Sequence, residues 1–198
     1  MKKQDFSSTH RPNPKGQGPS SYWMQNPSAV FEALALSPGD RVLDLGCGAG
    51  EYALEAARRV GPSGLVTAID NWPPIIDALE QAALADHLSN LKALVADIAA
   101  PPLPLEDNSV DLCMMFTTLH IFGLYPRRLA IFREMARLLR PKGRLAILEC
   151  KKEEMPFGQP VHMRLAPNEI EAFLQEMEFT KTRYTEFEYT YLFSFSAE

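Results

Sequence analysis

The chain predicts an α/β fold, a three-layer doubly wound sheet of five parallel strands followed by a C-terminal antiparallel pair. Three observations carry this reading. Short apolar runs alternate with helical patterns from residue 26 onward, the order that builds a parallel sheet with helices on both faces. Three of those runs lead into an acid, at Asp44, Asp70 and Asp97. The last two runs follow one another without a helix, and Tyr189, Tyr191, Phe193 and Phe195 alternate with Thr190, Leu192 and Ser194, as half-buried antiparallel strands do.

Residues 1–21, rich in Pro and Gly between Arg11 and Ser21, read as a mobile N-terminal arm, and 22–198 as one domain. Asn26 and Pro27 look like an N-cap and a first helical residue; Val30, Phe31 and Leu34 form the apolar face before Pro38-Gly39 ends that helix. The first strand, Val42 to Leu45, follows at once, and Glu51 to Val60 is the crossover helix, its Ala53, Ala56 and Ala57 small enough to press on the sheet. After the second strand, Leu65 to Asp70, Pro73-Pro74 opens a helix with a stripe of Ile75, Ile76, Leu79, Ala82 and Ala83. The third strand runs from Leu91 to Ala96, and the fourth, Val110 to Phe116, is apolar enough to be central and buried on both faces. Pro126 begins what reads as the longest helix, with Leu129, Phe132, Met135, Leu138 and Leu139 inward, stopped by Pro141 and Gly143. The fifth strand is Arg144 to Glu149. Pro167 starts the last helix, Glu169 stands where a capping-box acid belongs, and the strands Phe179 to Thr185 and Glu188 to Phe195 close the sheet.

The segment Arg41-Val-Leu-Asp-Leu-Gly-Cys-Gly-Ala-Gly50 carries the chemistry. Gly46, Gly48 and Gly50 let the turn after the first strand take left-handed angles and let a ligand lie against main-chain atoms, with Cys47 between them. Dinucleotide-binding turns use a related pattern. Here, however, the sixth position is Glu51, a carboxylate where a pyrophosphate at a helix N-terminus would be repelled, so a ligand without phosphates fits better.

The order and spacing of these pieces, together with Asp111-Leu-Cys-Met-Met-Phe-Thr-Thr-Leu-His120 and Leu139-Arg-Pro-Lys-Gly-Arg-Leu-Ala-Ile-Leu148, resemble the class I S-adenosylmethionine-dependent methyltransferases across residues 22 to 195. The resemblance implies a Rossmann-like seven-stranded sheet and S-adenosylmethionine as cofactor. It implies that Asp44 and the Gly46, Cys47, Gly48 and Gly50 turn hold the methionine part, that Asp70 with Asn71 takes the ribose hydroxyls, and that Asp97 with the Ile98 backbone meets the adenine. Trp72 is either an adenine wall or a helix-start residue covering the core, and Tyr22, with Trp23, either closes over the methionine end or anchors the first helix. Phe116 lies at the tip of the fourth strand, on the cofactor side. His120 follows that strand at the carboxyl end of the sheet, where it is the candidate general base; the alternative is a residue that orders its loop. His162 and Arg164, in the crossover to the last helix, lie either near the substrate mouth or in a solvated loop.

With 198 residues, 46% of them hydrophobic, the chain buries a sizeable core. A net charge of −5 argues against a broad nucleic-acid footprint. No apolar run approaches the ~20 residues that span a bilayer and the N-terminal residues carry no secretory pattern, so a cytoplasmic enzyme acting on a small-molecule methyl acceptor is expected. The acceptor and the oligomeric state are not specified. Cys47, Cys113 and Cys150 are few, odd and scattered, which points to small apolar residues and no disulfide, and no His–Cys spacing suggests a metal site. The scarcity of cysteines also argues against arsenite as acceptor. The competing readings are a NAD-dependent oxidoreductase and a protein that binds S-adenosylmethionine without transferring its methyl group.

Overall fold

A computed structural model describes residues 20–122, 127–155, 158–177 and 179–197. Most of the arm expected over 1–21, and Pro126, lie outside the described residues. Ser20 and Ser21 do not: Ser20 caps a short 3-10 turn, Ser21–Met24, by accepting from the Tyr22 N–H. Seven strands form one sheet in the order β3-β2-β1-β4-β5-β7-β6. They are β1 (Arg41–Leu45), β2 (Leu65–Asp70), β3 (Leu91–Val95), β4 (Val110–Phe116), β5 (Leu139–Cys150), β6 (Phe179–Glu186) and β7 (Thr190–Ala197). The first five are mutually parallel, and β7 runs antiparallel between β5 and β6. Among the described residues five α-helices cover the sheet: α1 (Pro27–Leu34), α2 (Glu51–Val60), α3 (Pro73–Ala85), α4 (Arg127–Leu138) and α5 (Pro167–Gln175).

The period of two along each strand sorts side chains into two cores. Val42, Val66, Leu112 and Met114 face α1, α2 and α3, whereas Leu43, Ile69, Cys113 and Met115 face α4 and α5. Helix ends follow their local chemistry. Asn26 Oδ1 accepts from the Ser28 N–H at 3.0 Å, which caps α1. Ala166 cannot offer a side-chain oxygen to α5, so only half of a capping box forms there, the Ala166 N–H donating to Glu169 Oε2 at 2.6 Å. All three cysteines are buried and free.

One expectation is corrected. The fifth strand starts at Leu139, not Arg144, and Leu139 leaves the helix to pair with Val110; the register then shifts, and Leu112 pairs with Arg144. Pro141 has no N–H to give the ladder and Lys142 has a φ of +65°, so this stretch bulges away before pairing resumes. Among the described residues α3 has 13 residues and α4 has 12, the expected start of α4 at Pro126 lying outside them.

The chain runs outward from β1 to β3, then returns to place β4 on the other side of β1. That reversal leaves a crevice at the carboxyl ends of β1 and β4, the position where open α/β sheets collect ligands.

Candidate active site

A cavity of about 440 Å³ occupies this crevice, within the range of small-molecule sites. Its floor is the turn after β1. Gly46 and Cys47 donate their N–H groups to the Ile69 carbonyl at 2.8 and 3.0 Å, which ties the turn to the neighbouring strand. At Gly48, with φ +52°, nothing stands within 4 Å of where a Cβ would be, so this backbone is bare to the cavity. Gly50, by contrast, faces inward: a Cβ there would meet Leu79 Cδ1 at 2.4 Å.

Two carboxylates define one end. Asp44 is 2% exposed, yet its Oδ2 makes no hydrogen bond with any described residue. Burial pushes its carboxyl up to about 7, and the charges of Asp70 and Glu51 add to the push. Asp70 is already organised: Gly48 N–H donates to one oxygen and Trp72 N–H to the other, each at 3.1 Å. Cys47 lines the same cavity, and its thiol is held well above its ordinary value by burial and by the same two carboxylates.

The far wall comes from the segment after β4. Thr117 has a φ of +48°, a strained conformation for a β-branched residue. Its hydroxyl donates to Ser21 Oγ at 3.2 Å, and Ser21 in turn donates to the Tyr52 hydroxyl at 3.4 Å. This chain of hydroxyls seats the 3-10 turn at the cavity mouth. The Tyr52 ring meets Phe116 edge-on at 4.7 Å. Thr118 fills the space that a side chain at position 46 would need, its Cγ2 standing 2.5 Å from that Cβ position.

His120 lies in the following 3-10 turn, Leu119–Ile121, and lines the cavity. Glu149, near the end of β5 and 0% exposed, meets it twice. Glu149 Oε1 accepts from the His120 backbone N–H at 3.3 Å and Oε2 lies 3.1 Å from Nδ1. Gln159 brings its side-chain nitrogen to 3.2 Å from the same Nδ1. Cys150 and Gly158 also line this end; burial and the charge of Glu149 push the Cys150 thiol up to about 11.

Of the residues singled out in the sequence, the cavity wall brings together Asp44, Gly46, Cys47, Gly48, Asp70, Phe116 and His120. Gly50, Asn71, Trp72, Asp97, Ile98 and Tyr22 are not part of that wall. Asn71 and Asp97 are exposed, and Asp97 Oδ1 accepts from the Ala99 N–H at 2.9 Å. Asp97 stays close to the site, because the Ala96 N–H donates to the Asp70 carbonyl at 3.0 Å. Ile98 belongs to the α4–α5 core, and Trp72 and Tyr22 pack against the other. Tyr22 stacks edge-on upon Tyr52 at 5.1 Å. His162 is exposed, and Arg164 is buried with its guanidinium donating to the carbonyls of Gln159, Lys151 and Glu153, which fastens the crossover. Sequence reasoning missed Glu149, Thr117, Ser21, Tyr52 and Gln159. Glu149 had a signal, an acid closing an otherwise apolar strand; the hydroxyls had none.

Comparison with known proteins agrees with this geometry. The family described as "Methyltransferase domain" matches residues 36–195. An arsenite methyltransferase of Halobacterium salinarum is 33% identical over 138 residues, 70% of this chain and 33% of that protein. A 2-phytyl-1,4-naphtoquinone methyltransferase of Trichormus variabilis is 39% identical over 116 residues, 57% of this chain and 47% of that protein. The chain thus spans between a third and a half of the length of these curated relatives. The solved structure of a SAM-dependent methyltransferase from Aquifex aeolicus superposes with a TM-score of 0.82 at 28% identity, covering 91% of this chain and 94% of that one. Fold, glycine turn and matched span therefore agree, and the chain belongs to the class I S-adenosylmethionine-dependent methyltransferase family.

Proposed function

We propose that the protein transfers the methyl group of S-adenosylmethionine to a small organic acceptor held in the crevice between the tips of β1 and β4. One observation carries this reading: the buried Asp44 carboxylate keeps an oxygen without a partner among the described residues, in the same cavity that the bare Gly48 backbone lines. An unpaired buried carboxylate oxygen is costly, and the cationic ammonium of an amino-acid group satisfies it. The residues fit that cofactor. Asp44 takes the ammonium, Gly48 leaves room for the chain, and the Asp70 carboxylate, steadied by two N–H donors, retains lone pairs for a pair of hydroxyls. Asp97, Asn71, Trp72 and Ile98 line the course an adenine takes beyond Asp70, and Tyr22 closes the other side.

Bound there, S-adenosylmethionine supplies a methyl group on a sulfonium, which leaves without further activation. The protein's contribution is position and dryness. Phe116, Tyr52 and the 3-10 turn over Ser21–Met24 keep water from the reacting centre. Holding both reactants in line supplies on the order of 7–11 kcal/mol of the barrier at best. His120 accepts the acceptor's proton where there is one to lose, a contribution of typically ~10²–10⁴-fold. Cys47 and Cys150 keep their protons at neutral pH, which favours an organic acceptor over a thiophilic ion that needs thiolates.

Thermal melting with S-adenosylhomocysteine and with NAD separates this reading from an oxidoreductase. At 100 times its dissociation constant, S-adenosylhomocysteine should stabilise by about 2.7 kcal/mol. A shift with NAD alone, or heatless titration with S-adenosylhomocysteine, sinks the proposal.

A further inference from the structure

We infer that Glu149 is a positioning residue that locks the His120 imidazole as the Nδ1–H tautomer, and that the site is thereby built for acceptors that surrender a proton on methylation. This rests on the methyl-transfer reading above and deepens it. The carboxylate is 0% exposed and spends one oxygen on the His120 main chain and the other on its ring. A residue needed only to close the turn would require the first bond alone. The second costs a buried charge beside an imidazole and has a chemical consequence: an ionised carboxylate at 3.1 Å from Nδ1 requires a hydrogen there.

Gln159 competes for the same nitrogen at 3.2 Å. Its amide N–H groups would need a lone pair on Nδ1, which is the opposite tautomer. The charge-assisted bond is roughly twice as strong as a neutral one, so Nδ1 donates to Glu149 and the Gln159 amide N–H is left for another acceptor, such as the neighbouring Cys150 sulfur. Nε2, which has no hydrogen-bond partner among the described residues, is then left with its lone pair. Burial of Glu149 is eased by the guanidinium of Arg128 on α4, which shares its field, while Glu169 on α5 and the Tyr191 hydroxyl on β7 also face this cluster.

The step this arrangement serves balances as follows. The acceptor's oxygen or carbon forms a bond to the methyl carbon, the methyl–sulfur bond breaks with its electron pair passing to sulfur, and the acceptor's proton goes to His120 Nε2. Glu149 stabilises the resulting imidazolium without itself taking the proton. An acceptor such as a tertiary amine, with no proton to lose, gains nothing from this pair. Hydroxyl groups and acidic C–H positions, as on a hydroquinone, gain the most.

The test starts with the full chain and needs no acceptor. Nitrogen-15 NMR of the His120 ring, in the complex with S-adenosylhomocysteine and without it, reads the tautomer directly. Nδ1 protonated and Nε2 bare is the expected result, and Glu149→Gln should abolish that preference while S-adenosylhomocysteine binding stays within about twofold. Nε2 protonated in the parent, or a tautomer unmoved in E149Q, overturns the inference. The parent spectrum decides the matter even if E149Q does not fold. In turnover with a naphthohydroquinone, E149Q should lose about 10–100-fold in kcat, part of the general-base contribution, with KM for the cofactor unchanged. An E149Q protein as fast as the parent, or methylation of a tertiary amine in preference to the hydroquinone, also overturns it. Should S-adenosylhomocysteine fail to bind a parent whose His120 carries the expected tautomer, the failure belongs to the methyl-transfer reading and the role of Glu149 in positioning stands.

Discussion

Asp44 and Glu149 are both carboxylates in the next-to-last position of a parallel strand, 2% and 0% exposed, and the fold treats them in opposite ways. Glu149 has both oxygens engaged by His120. Asp44 keeps Oδ2 unpaired among the described residues, with its carboxyl raised to about 7 by burial and by Asp70 and Glu51. The difference separates two uses of a buried acid. One whose oxygens are all matched within the fold serves another side chain; one left unmatched is reserved for a ligand that brings its own donors.

Removing each acid should therefore move stability in opposite directions, and this is the largest contrast to test. Glu149→Ala leaves the His120 main-chain N–H unpaired and takes the charged partner from its ring, and should cost about 3 kcal/mol, an unpaired buried donor costing ~1–3 kcal/mol, read by chemical denaturation. If it costs less than a surface substitution, Glu149 is not a structural partner of His120. Asp44→Asn should instead weaken S-adenosylhomocysteine by about 2–3 kcal/mol, the range of a charge-assisted hydrogen bond, measured by calorimetry. An unchanged dissociation constant would detach Asp44 from the ligand.

Without ligand, Asp44→Asn should stabilise the protein by about 1–2 kcal/mol at pH 8, a discounted share of the upward pKa shift. Between the ordinary value of 3.8 and the folded value of about 7, the folded chain holds a proton on Asp44 that the unfolded chain has lost. Stability contributed by this group accordingly falls as pH rises through that window and reaches its low point above pH 7. Ligand binding runs the other way, because an ammonium prefers the ionised acid. Affinity should drop by up to about tenfold per pH unit as pH falls below 7, with the proton that Asp44 releases on binding visible as a buffer-dependent binding heat, and D44N should flatten both. A buffer-independent heat in the parent would break the link. The smallest effect is expected at Asp97, exposed and bonded to the Ala99 N–H, where Asp97→Ala should cost cofactor affinity about 1 kcal/mol, one ordinary hydrogen bond. A loss as large as that of D44N would show that the adenine end is as tightly held as the methionine end.

The two acids also differ in how far the amino-acid sequence announces them. Asp44 stands in a contiguous run with Gly46, Gly48 and Gly50, where local backbone requirements and ligand chemistry are written within seven residues. Glu149 meets a histidine 29 residues away, through the pairing of β4 with β5, and no short-range pattern encodes that meeting. Thr117 and Ser21, 96 positions apart, are a stronger case. The strand boundary at Leu139 was likewise hidden, since an apolar residue at helical spacing serves equally as the start of a strand, and only pairing with Val110 decides.

Sequence alone determined the alternation of strands and helices, the acid at each of three successive strand ends, and the bare glycine turn, because each follows from periodicity or from a backbone need met by neighbouring residues. Tertiary structure decided which of those acids share one cavity, which oxygen stays unpaired, and which base is held by which carboxylate. Those facts depend on strand order and on side chains meeting across the sheet, where the partners are close in space and distant along the chain.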